Sequence, residues 1–312
     1  MSETHYRACH LCEAICGLKI EVENDQIISI KGDENDPLSR GHICPKAIAL
    51  QDLHEDPNRL RRPVKKVVDE QGVRWQEISW DEALDTTAAK LADVHQLHGV
   101  HAIGVYLGNP SVHNYGMMTH QSALFSHIRS NNRFSATSVD QLPHHLIGLW
   151  LYGHKLMFPI PDIDRTDYML MLGANPVASN GSIWTVPDVK KRIKALTARG
   201  GKLVVIDPRR TETAELATDH HFITPGTDAA FLAALLHTLF EENLSNLGKL
   251  EDFTTGLEAV EAACAEFSPE RVSASCGIAT DTIRAIARDM AGAGAAICYG
   301  RMGVSTQEFG AL

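Results

Sequence analysis

Four of the seven cysteines lie in the first 44 residues of the chain, and their spacing is the clearest chemical signal in the sequence. Cys9, Cys12 and Cys16 share one short segment, and Cys44 follows after a gap of 27 residues. Four thiolates are the ligands that a [4Fe–4S] cluster requires. A zinc ion bound by four thiolates is the alternative, but such sites usually combine two separated pairs of cysteines. The spacing therefore favours an iron–sulfur cluster.

The segment around these cysteines predicts a small module rich in β-structure. Residues 18–22 and 26–30 have the pattern of short strands, and Asn24 and Asp25 between them are typical of a hairpin turn. Because such a short segment has little core of its own, a bound cluster would stabilise it. Lys46 follows the fourth cysteine by two residues, where a cation would tune the potential of a cluster. A solvated surface lysine is the alternative interpretation.

Beyond residue 60, apolar segments alternate with helical patterns, which is typical of Rossmann-like α/β domains built on parallel sheets. Helices are expected to begin near Asp81, as an N-cap, and near Pro187. Buried strands are expected at 101–107, 168–172, 202–206, 220–224 and 295–300.

These patterns predict three parts. They are a cluster module over 1–60, an α/β domain formed by 61–134 and 293–312, and an α/β dinucleotide-binding domain over 135–292. The domain that includes 293–312 is expected to be truncated, because the chain ends at Leu312 where another element should begin.

The loops after the predicted strands carry residues suited to a dinucleotide, since ligands of open parallel sheets lie at the carboxyl ends of the strands. Gly173 and Asn175 form a turn that lets a pyrophosphate approach the backbone. Asp207 ends the next strand, where an acidic side chain meets a ribose or a base edge. Arg209 or Arg210 can pair with phosphate.

A further carboxylate, Asp228, follows Pro225, Gly226 and Thr227 at the predicted start of a helix. It can accept from both donors of the Watson–Crick edge of guanine, and it can also serve as a simple N-cap. The fingerprint G-x-G-x-x-G is absent after these strands, which argues against an NAD-dependent dehydrogenase.

Composition excludes several classes of partner. The formal charge of −10 argues against a nucleic-acid or anionic-membrane surface, both of which need a basic face. No stretch approaches the ~18 apolar residues of a membrane-spanning helix. The first residues carry neither a secretory nor a twin-arginine signal, so the cytoplasm is the expected location.

In their order along the chain, these motifs resemble those of the molybdopterin oxidoreductases, which include formate dehydrogenases and nitrate reductases. The likeness is carried by the first three cysteines and by the segments 41–46, 80–84, 173–176 and 206–209. The resemblance implies a bis(molybdopterin guanine dinucleotide) cofactor that carries molybdenum or tungsten and exchanges electrons through the cluster. It also implies a small-molecule substrate and an electron-transfer partner, such as a ferredoxin, a flavoprotein or an iron–sulfur subunit.

The same resemblance implies roles for single residues. Lys46 would lie between the cluster and one pterin. The expected cofactor-binding residues are Gly173, Asn175, Pro176, Asp207, Arg209, Thr211, Pro225, Gly226, Asp228 and Gly303.

The protein ligand of the metal is expected on the loop before residue 168, at or beside Asp140. Members of the family place Ser, Cys, selenocysteine or Asp there, and a carboxylate oxygen is a sound ligand for a hard metal. His144 is the rival, as a ligand or a proton shuttle. A third possibility is that no side chain binds the metal and Asp140 only caps the helix from Leu142.

A non-catalytic iron–sulfur scaffold that has lost its metal is the alternative function. Such a scaffold has no need of Asp207, Arg209 and Asp228 together, so their joint presence favours the enzyme.

Overall fold

The structure is a computed structural model that describes residues 2–312, apart from the side chains of Asn109, Pro110, Val139 and Ser182. Its contacts divide the chain into two compact units, Met1–Ala136 and Thr137–Leu312.

The first unit begins with an antiparallel sheet in the order β1-β2-β3. The strands are β1 (Glu3–Ala8), β2 (Gly17–Glu23) and β3 (Gln26–Gly32), followed by the helices α1 (Pro45–Ile48) and α2 (Leu50–Glu55). Asn24 and Asp25 have φ angles of 49° and 62°, the left-handed conformation that the tight turn between β2 and β3 requires. The predicted hairpin is confirmed.

The remainder of the first unit contains a second hairpin and a small parallel sheet. Its elements are β4 (Val64–Asp69), β5 (Gly72–Glu77), α3 (Trp80–His98), β6 (Val105–Leu107), α4 (Tyr115–Ile128) and β7 (Arg133–Ser135). The strands β6 and β7 are parallel. The strand predicted from residue 101 is shorter, because residues 100–102 form a 3₁₀ turn. Ser79, not Asp81, is the N-cap of α3, and its hydroxyl accepts from the Glu82 amide at 3.1 Å.

The second unit alternates strands with helices. Its elements are α5 (Leu142–Tyr152), β8 (Tyr168–Leu172), α6 (Pro176–Ser179), α7 (Val189–Ala198), β9 (Lys202–Ile206), β10 (Asp219–His221), α8 (Asp228–Glu241), α9 (Leu257–Cys264), α10 (Pro269–Cys276), α11 (Thr280–Gly292), β11 (Ala296–Gly300) and α12 (Met302–Ser305). The sheet has the order β10-β9-β8-β11, and all neighbouring strands are parallel. The predicted fold class, a small β-rich module followed by parallel α/β structure, is confirmed.

The position of β11 differs from the prediction. Residues 293–312 were expected to complete the domain formed by 61–134, but β11 pairs with β8 over its whole length. The side chain of Tyr299 explains this position, because it packs on Trp184 with a ring separation of 5.2 Å. Its hydroxyl also donates to the carbonyl of Gly181 at 2.9 Å. The residues that stabilise β11 therefore belong to the second unit.

Apolar cores cover both faces of the four-stranded sheet. In β8, Leu170 and Leu172 belong to the core that includes α8, α10 and α11, while Met169 and Met171 point into the core beside α7. A strand buried on both faces is apolar at every position, which is why β8 reads as an unbroken apolar run. None of the helices in the described part of the chain has the length and apolar character needed to cross a bilayer.

Two adjacent leucines of α8 provide a matched test of this packing. Leu235 is 5% exposed within the core, whereas Leu236 is 37% exposed. We expect Leu235→Ala to lower the free energy of unfolding by about 2–5 kcal/mol, because a cavity replaces the packed side chain. Leu236→Ala should cost less than about 1 kcal/mol. Urea denaturation of both variants measures the difference, and equal losses would contradict the packing described here.

Candidate functional site

The structure brings the four N-terminal cysteines together around one small core. A backbone hydrogen bond closes the loop between β1 and β2, in which the Cys9 amide donates to the Cys16 carbonyl at 2.8 Å. Both are buried, and the partly buried Cys12 and Cys44 pack against them. Cys44 directly precedes α1. The hairpin and α1 thus position the four predicted ligands.

The thiols influence one another electrostatically. Burial, together with negative charge on Cys9, Cys12 and Cys44, raises the pKa of Cys16 to about 11. Burial likewise raises the pKa of Cys9, whereas the positive charge of Lys46 lowers it. Metal binding requires thiolates, so these thiols need positive charge among them to ionise together.

The donor set therefore fits a [4Fe–4S] cluster, which supplies that charge through its irons. In residues 2–312, no three His, Cys, Asp or Glu side chains converge on a point that one metal ion could occupy. The fit depends on the four sulfur donors and on their mutual electrostatic effects.

The carboxyl edge of the four-stranded sheet forms a cavity of about 370 Å³. The loops after β8, β9 and β11 line it, as expected for a ligand site of a parallel sheet. Its walls include Asp140, Gly173, Asn175, Pro176, Asp207, Arg209, Thr211 and Arg301. Six predicted cofactor-binding residues and the predicted metal ligand thus surround one space.

Asn175 lines the cavity and also joins the loop after β8 to the loop after β9. Its Oδ1 accepts from the Thr213 hydroxyl at 2.7 Å, and its Nδ2 donates to the Glu212 carboxylate at 2.8 Å. The Thr213 hydroxyl also accepts from the Val177 amide at 3.2 Å. Thr213 is fully buried. The turn after β8 is therefore held by side chains that follow β9.

The loops after β8 and β11 touch through their backbones. The Gly303 amide donates to the Gly173 carbonyl at 3.0 Å. A Cβ on Gly173, whose φ is +55°, would lie 2.6 Å from the Gly303 Cα. Both positions therefore need glycine, because a side chain at either would collide with the other loop.

In the loop after β9, the carboxylate of Asp207 is buried, whereas the guanidinium of Arg209 is exposed. Asp207 is buried, and its Oδ1 accepts from the Arg209 amide at 2.8 Å. The Arg209 side chain is exposed, with its guanidinium 3.9 Å from the carboxylate of Glu212. Asp207 shapes the loop, while Arg209 is free to turn toward a phosphate.

Asp228 is 3% exposed at the start of α8. Burial raises the pKa of its carboxyl, the charge of Asp207 adds to this, and a hydrogen bond from Gln307 opposes it. Asp207 follows β9 and Asp228 comes after the neighbouring strand β10, so both carboxylates belong to loops at the carboxyl edge of the sheet. Asp228 is not the N-cap, since Thr227 holds that position.

Asp140 pairs with a residue that the sequence did not single out for it. The Arg301 guanidinium forms an ion pair with the Asp140 carboxylate, and Arg301 is 5% exposed directly after β11. The N-cap of α5 is Gln141, so the predicted capping role of Asp140 is wrong. A buried arginine at the carboxyl end of a strand is the signal that could have pointed to this contact.

His144 lies on the first turn of α5, beside the end of β11. Its Nε2 is 3.1 Å from the Gly300 carbonyl, so Nε2 carries the proton and Nδ1 carries the lone pair. Among the described residues, none bonds to the buried Nδ1. Burial lowers the pKa of His144, and the charge of Arg301 lowers it further. His144 lines a second, mainly apolar cavity of about 350 Å³, with Ile147 and Phe158 among its walls.

The remaining predicted residues lie elsewhere. Pro225 and Gly226 form the turn before α8, where Gly226 has a φ of +90°. Lys46 is exposed on α1 in the first unit. The sequence patterns did not point to Thr213, Arg301 or Gln307, each of which has a partner distant in the chain.

The fold and the site define a protein with a cysteine-rich cluster module and a parallel α/β unit whose sheet edge suits a dinucleotide. Comparison with family models agrees with this description. The model described as molybdopterin oxidoreductase matches residues 59–310, and the molybdopterin oxidoreductase Fe4S4 domain matches residues 3–53. The chain belongs to the molybdopterin oxidoreductase family.

Among curated relatives, the thiosulfate reductase molybdopterin-containing subunit PhsA of Salmonella typhimurium is 27% identical over 91% of this chain and 36% of its own length. Formate dehydrogenase H of Escherichia coli is 28% identical over 95% of this chain and 41% of its own. The chain thus spans about two fifths of these relatives. The structure of acetylene hydratase from Pelobacter acetylenicus has the same fold, with a TM-score of 0.78 and 24% identity over 98% of this chain and 41% of that one.

The contact between the loop after β8 and the loop after β9 can be tested at Thr213. Thr213→Val keeps the shape of the side chain but removes the bonds to Asn175 and Val177. We expect the free energy of unfolding to fall by about 1–3 kcal/mol, because buried polar groups lose their partners. Thr197→Val, at an exposed position of α7, is the control and should change it by less than about 0.5 kcal/mol. Denaturant titration measures both, and a neutral Thr213→Val would contradict the role given to this hydroxyl.

The lowered pKa of His144 predicts a pH dependence of stability. The folded protein favours the neutral ring, so this contribution is complete above the pKa of about 6.5 in the unfolded chain and is lost as the pH falls below it. His144→Gln can keep the bond to Gly300 but cannot titrate. We therefore expect its stability to fall less than that of the wild type between pH 7 and pH 5. His154→Gln, at an exposed position, is the control and should follow the wild type in urea denaturation at both pH values.

Proposed function

We propose that this chain is part of a molybdenum- or tungsten-dependent oxidoreductase that binds bis(molybdopterin guanine dinucleotide). The supporting observation is the convergence of six predicted cofactor residues on one cavity at the carboxyl edge of the sheet. Membership of the molybdopterin oxidoreductase family supports it independently. The activity proposed is that of the whole protein, of which this chain spans a part.

Cys9, Cys12, Cys16 and Cys44 are the proposed ligands of the [4Fe–4S] cluster. Their shared core and their mutual effect on pKa support this assignment. The cluster would carry electrons between the metal and a partner, such as a ferredoxin, a flavoprotein or an iron–sulfur subunit. Lys46 would tune the cluster by its charge and would lie toward one pterin.

The loops of the second unit are the proposed site for one guanine dinucleotide. The Gly173 turn, with Asn175 and Pro176, would admit the pyrophosphate to the backbone. Arg209 and the Thr211 turn would face phosphate, and Asp207 a ribose. Pro225 and Gly226 shape the turn that presents Asp228 to the guanine base, and Gly303 supports Gly173.

When bound, the cofactor supplies oxygen-atom or coupled proton and electron transfer on a small molecule. Asp140 remains the proposed protein ligand, and its ion pair with Arg301 would orient the carboxylate. His144 is the proposed proton acceptor, since its neutral ring keeps the Nδ1 lone pair available. The substrate class and the cytoplasmic location stay predictions. The non-catalytic scaffold is not favoured, because the nucleotide-site residues are present together.

The test is anaerobic purification of the full-length protein, followed by metal analysis. We expect about four irons and one molybdenum or tungsten per chain. Cys16→Ser should lose most of the iron and the visible absorbance of the cluster, because a buried ligand is removed. Cys298→Ser, an exposed cysteine outside the cluster, is the control and should keep both. Iron without molybdenum or tungsten would favour the scaffold, and zinc in place of iron would contradict the cluster.

A further inference from the structure

Gln307 contacts two parts of the proposed nucleotide site with one amide group. Its Nε2 donates to Oδ2 of Asp228 at 2.5 Å and to the carbonyl of Gly303 at 2.6 Å. A primary amide has two N–H donors, so each acceptor receives its own hydrogen. Gln307 therefore holds the Asp228 carboxylate at a defined distance from the loop after β11.

These contacts continue into the loop after β8. Gly303 donates its amide to the Gly173 carbonyl at 3.0 Å, and the two glycines are in backbone contact. Gln307, Gly303 and Gly173 thus form a continuous path from the base-reading carboxylate to the turn proposed for the pyrophosphate. The two ends of a nucleotide would be held by parts of the chain that this path connects.

A carboxylate reads guanine only in a defined orientation. Guanine presents two N–H donors side by side, and each must meet one carboxylate oxygen. The torsion angle of a carboxylate about its last bond is broad, so a partner is needed to set the plane of the group. Each carboxylate oxygen has two acceptor positions, so Oδ2 can accept from Gln307 and still accept from a base.

We propose that Gln307 is a positioning residue that fixes the Asp228 carboxylate for the Watson–Crick edge of guanine. This inference rests on the proposed guanine dinucleotide function and deepens it. Gln307 thereby determines nucleotide specificity through Asp228. It selects a base with two adjacent donors, which inosine, lacking the exocyclic amino group, does not have.

The experiment compares two nucleotides on the full chain, prepared in a host that makes no molybdopterin. GDP and inosine diphosphate are titrated by calorimetry into the wild type, Gln307→Met and Gln307→Glu. Met keeps the length of the side chain but has no donor, and Glu replaces the donor by an acceptor. Glu308→Gln, at the exposed neighbouring position, is the matched control.

We expect the wild type and Glu308→Gln to prefer GDP by about tenfold, as a hydrogen bond to a charged group provides. Both Gln307 variants should reduce the preference to about twofold or less. Asp228→Asn should do the same, and adding Gln307→Met to it should change nothing further. The ratio of the two affinities is unaffected by a fraction of unfolded protein, since both ligands report on the same folded molecules.

The possible failures are distinguishable. A wild type that does not bind GDP, or does not prefer it, would overturn the guanine-reading role of Asp228 and the inference with it. A wild type that prefers GDP, with the preference unchanged in Gln307→Met, would overturn the positioning role of Gln307 alone.

Discussion

The loops that follow β8 and β11 meet at Gly173 and Gly303, where the backbone of one donates to the backbone of the other at 3.0 Å. No side chain fits between them, because a Cβ on Gly173 would lie 2.6 Å from the Gly303 Cα. This approach follows from the parallel pairing of β11 with β8, which brings their carboxyl ends to the same edge. The cavity, the Arg301 ion pair and the Gln307 contacts all depend on that pairing, since each involves a residue after β11.

The two units are stabilised in different ways. The second has apolar cores on both faces of a parallel sheet. The first has a small core in which the four cysteines pack among alanine, leucine and isoleucine side chains. Burial and mutual repulsion disfavour thiolates there, so a cationic cluster would both ionise the ligands and complete the core. We therefore expect folding and cluster binding to be coupled in the first unit.

Much of this arrangement was predictable from local patterns. The four cysteines, the hairpin at Asn24 and the strands β8 and β9 follow from spacing and apolar periodicity, which act over a few residues. The partners of Asp140 and Asp228 were not predictable, because Arg301 and Gln307 lie 161 and 79 residues away along the chain. The predicted position of β11 was wrong because its partner strand is also distant in the chain. The apolar sequence of a strand does not specify which sheet edge the strand joins.

The carboxyl edge of β8, β9 and β11 is the proposed site of a guanine dinucleotide. A crystal structure of the anaerobically purified full-length protein with its native cofactor tests this most directly. We expect electron density for a guanine base against Asp228, with the pyrophosphate beside Gly173 and within reach of Arg209. A dinucleotide bound elsewhere in this unit, or contacts from Asp228 to the protein alone, would contradict it.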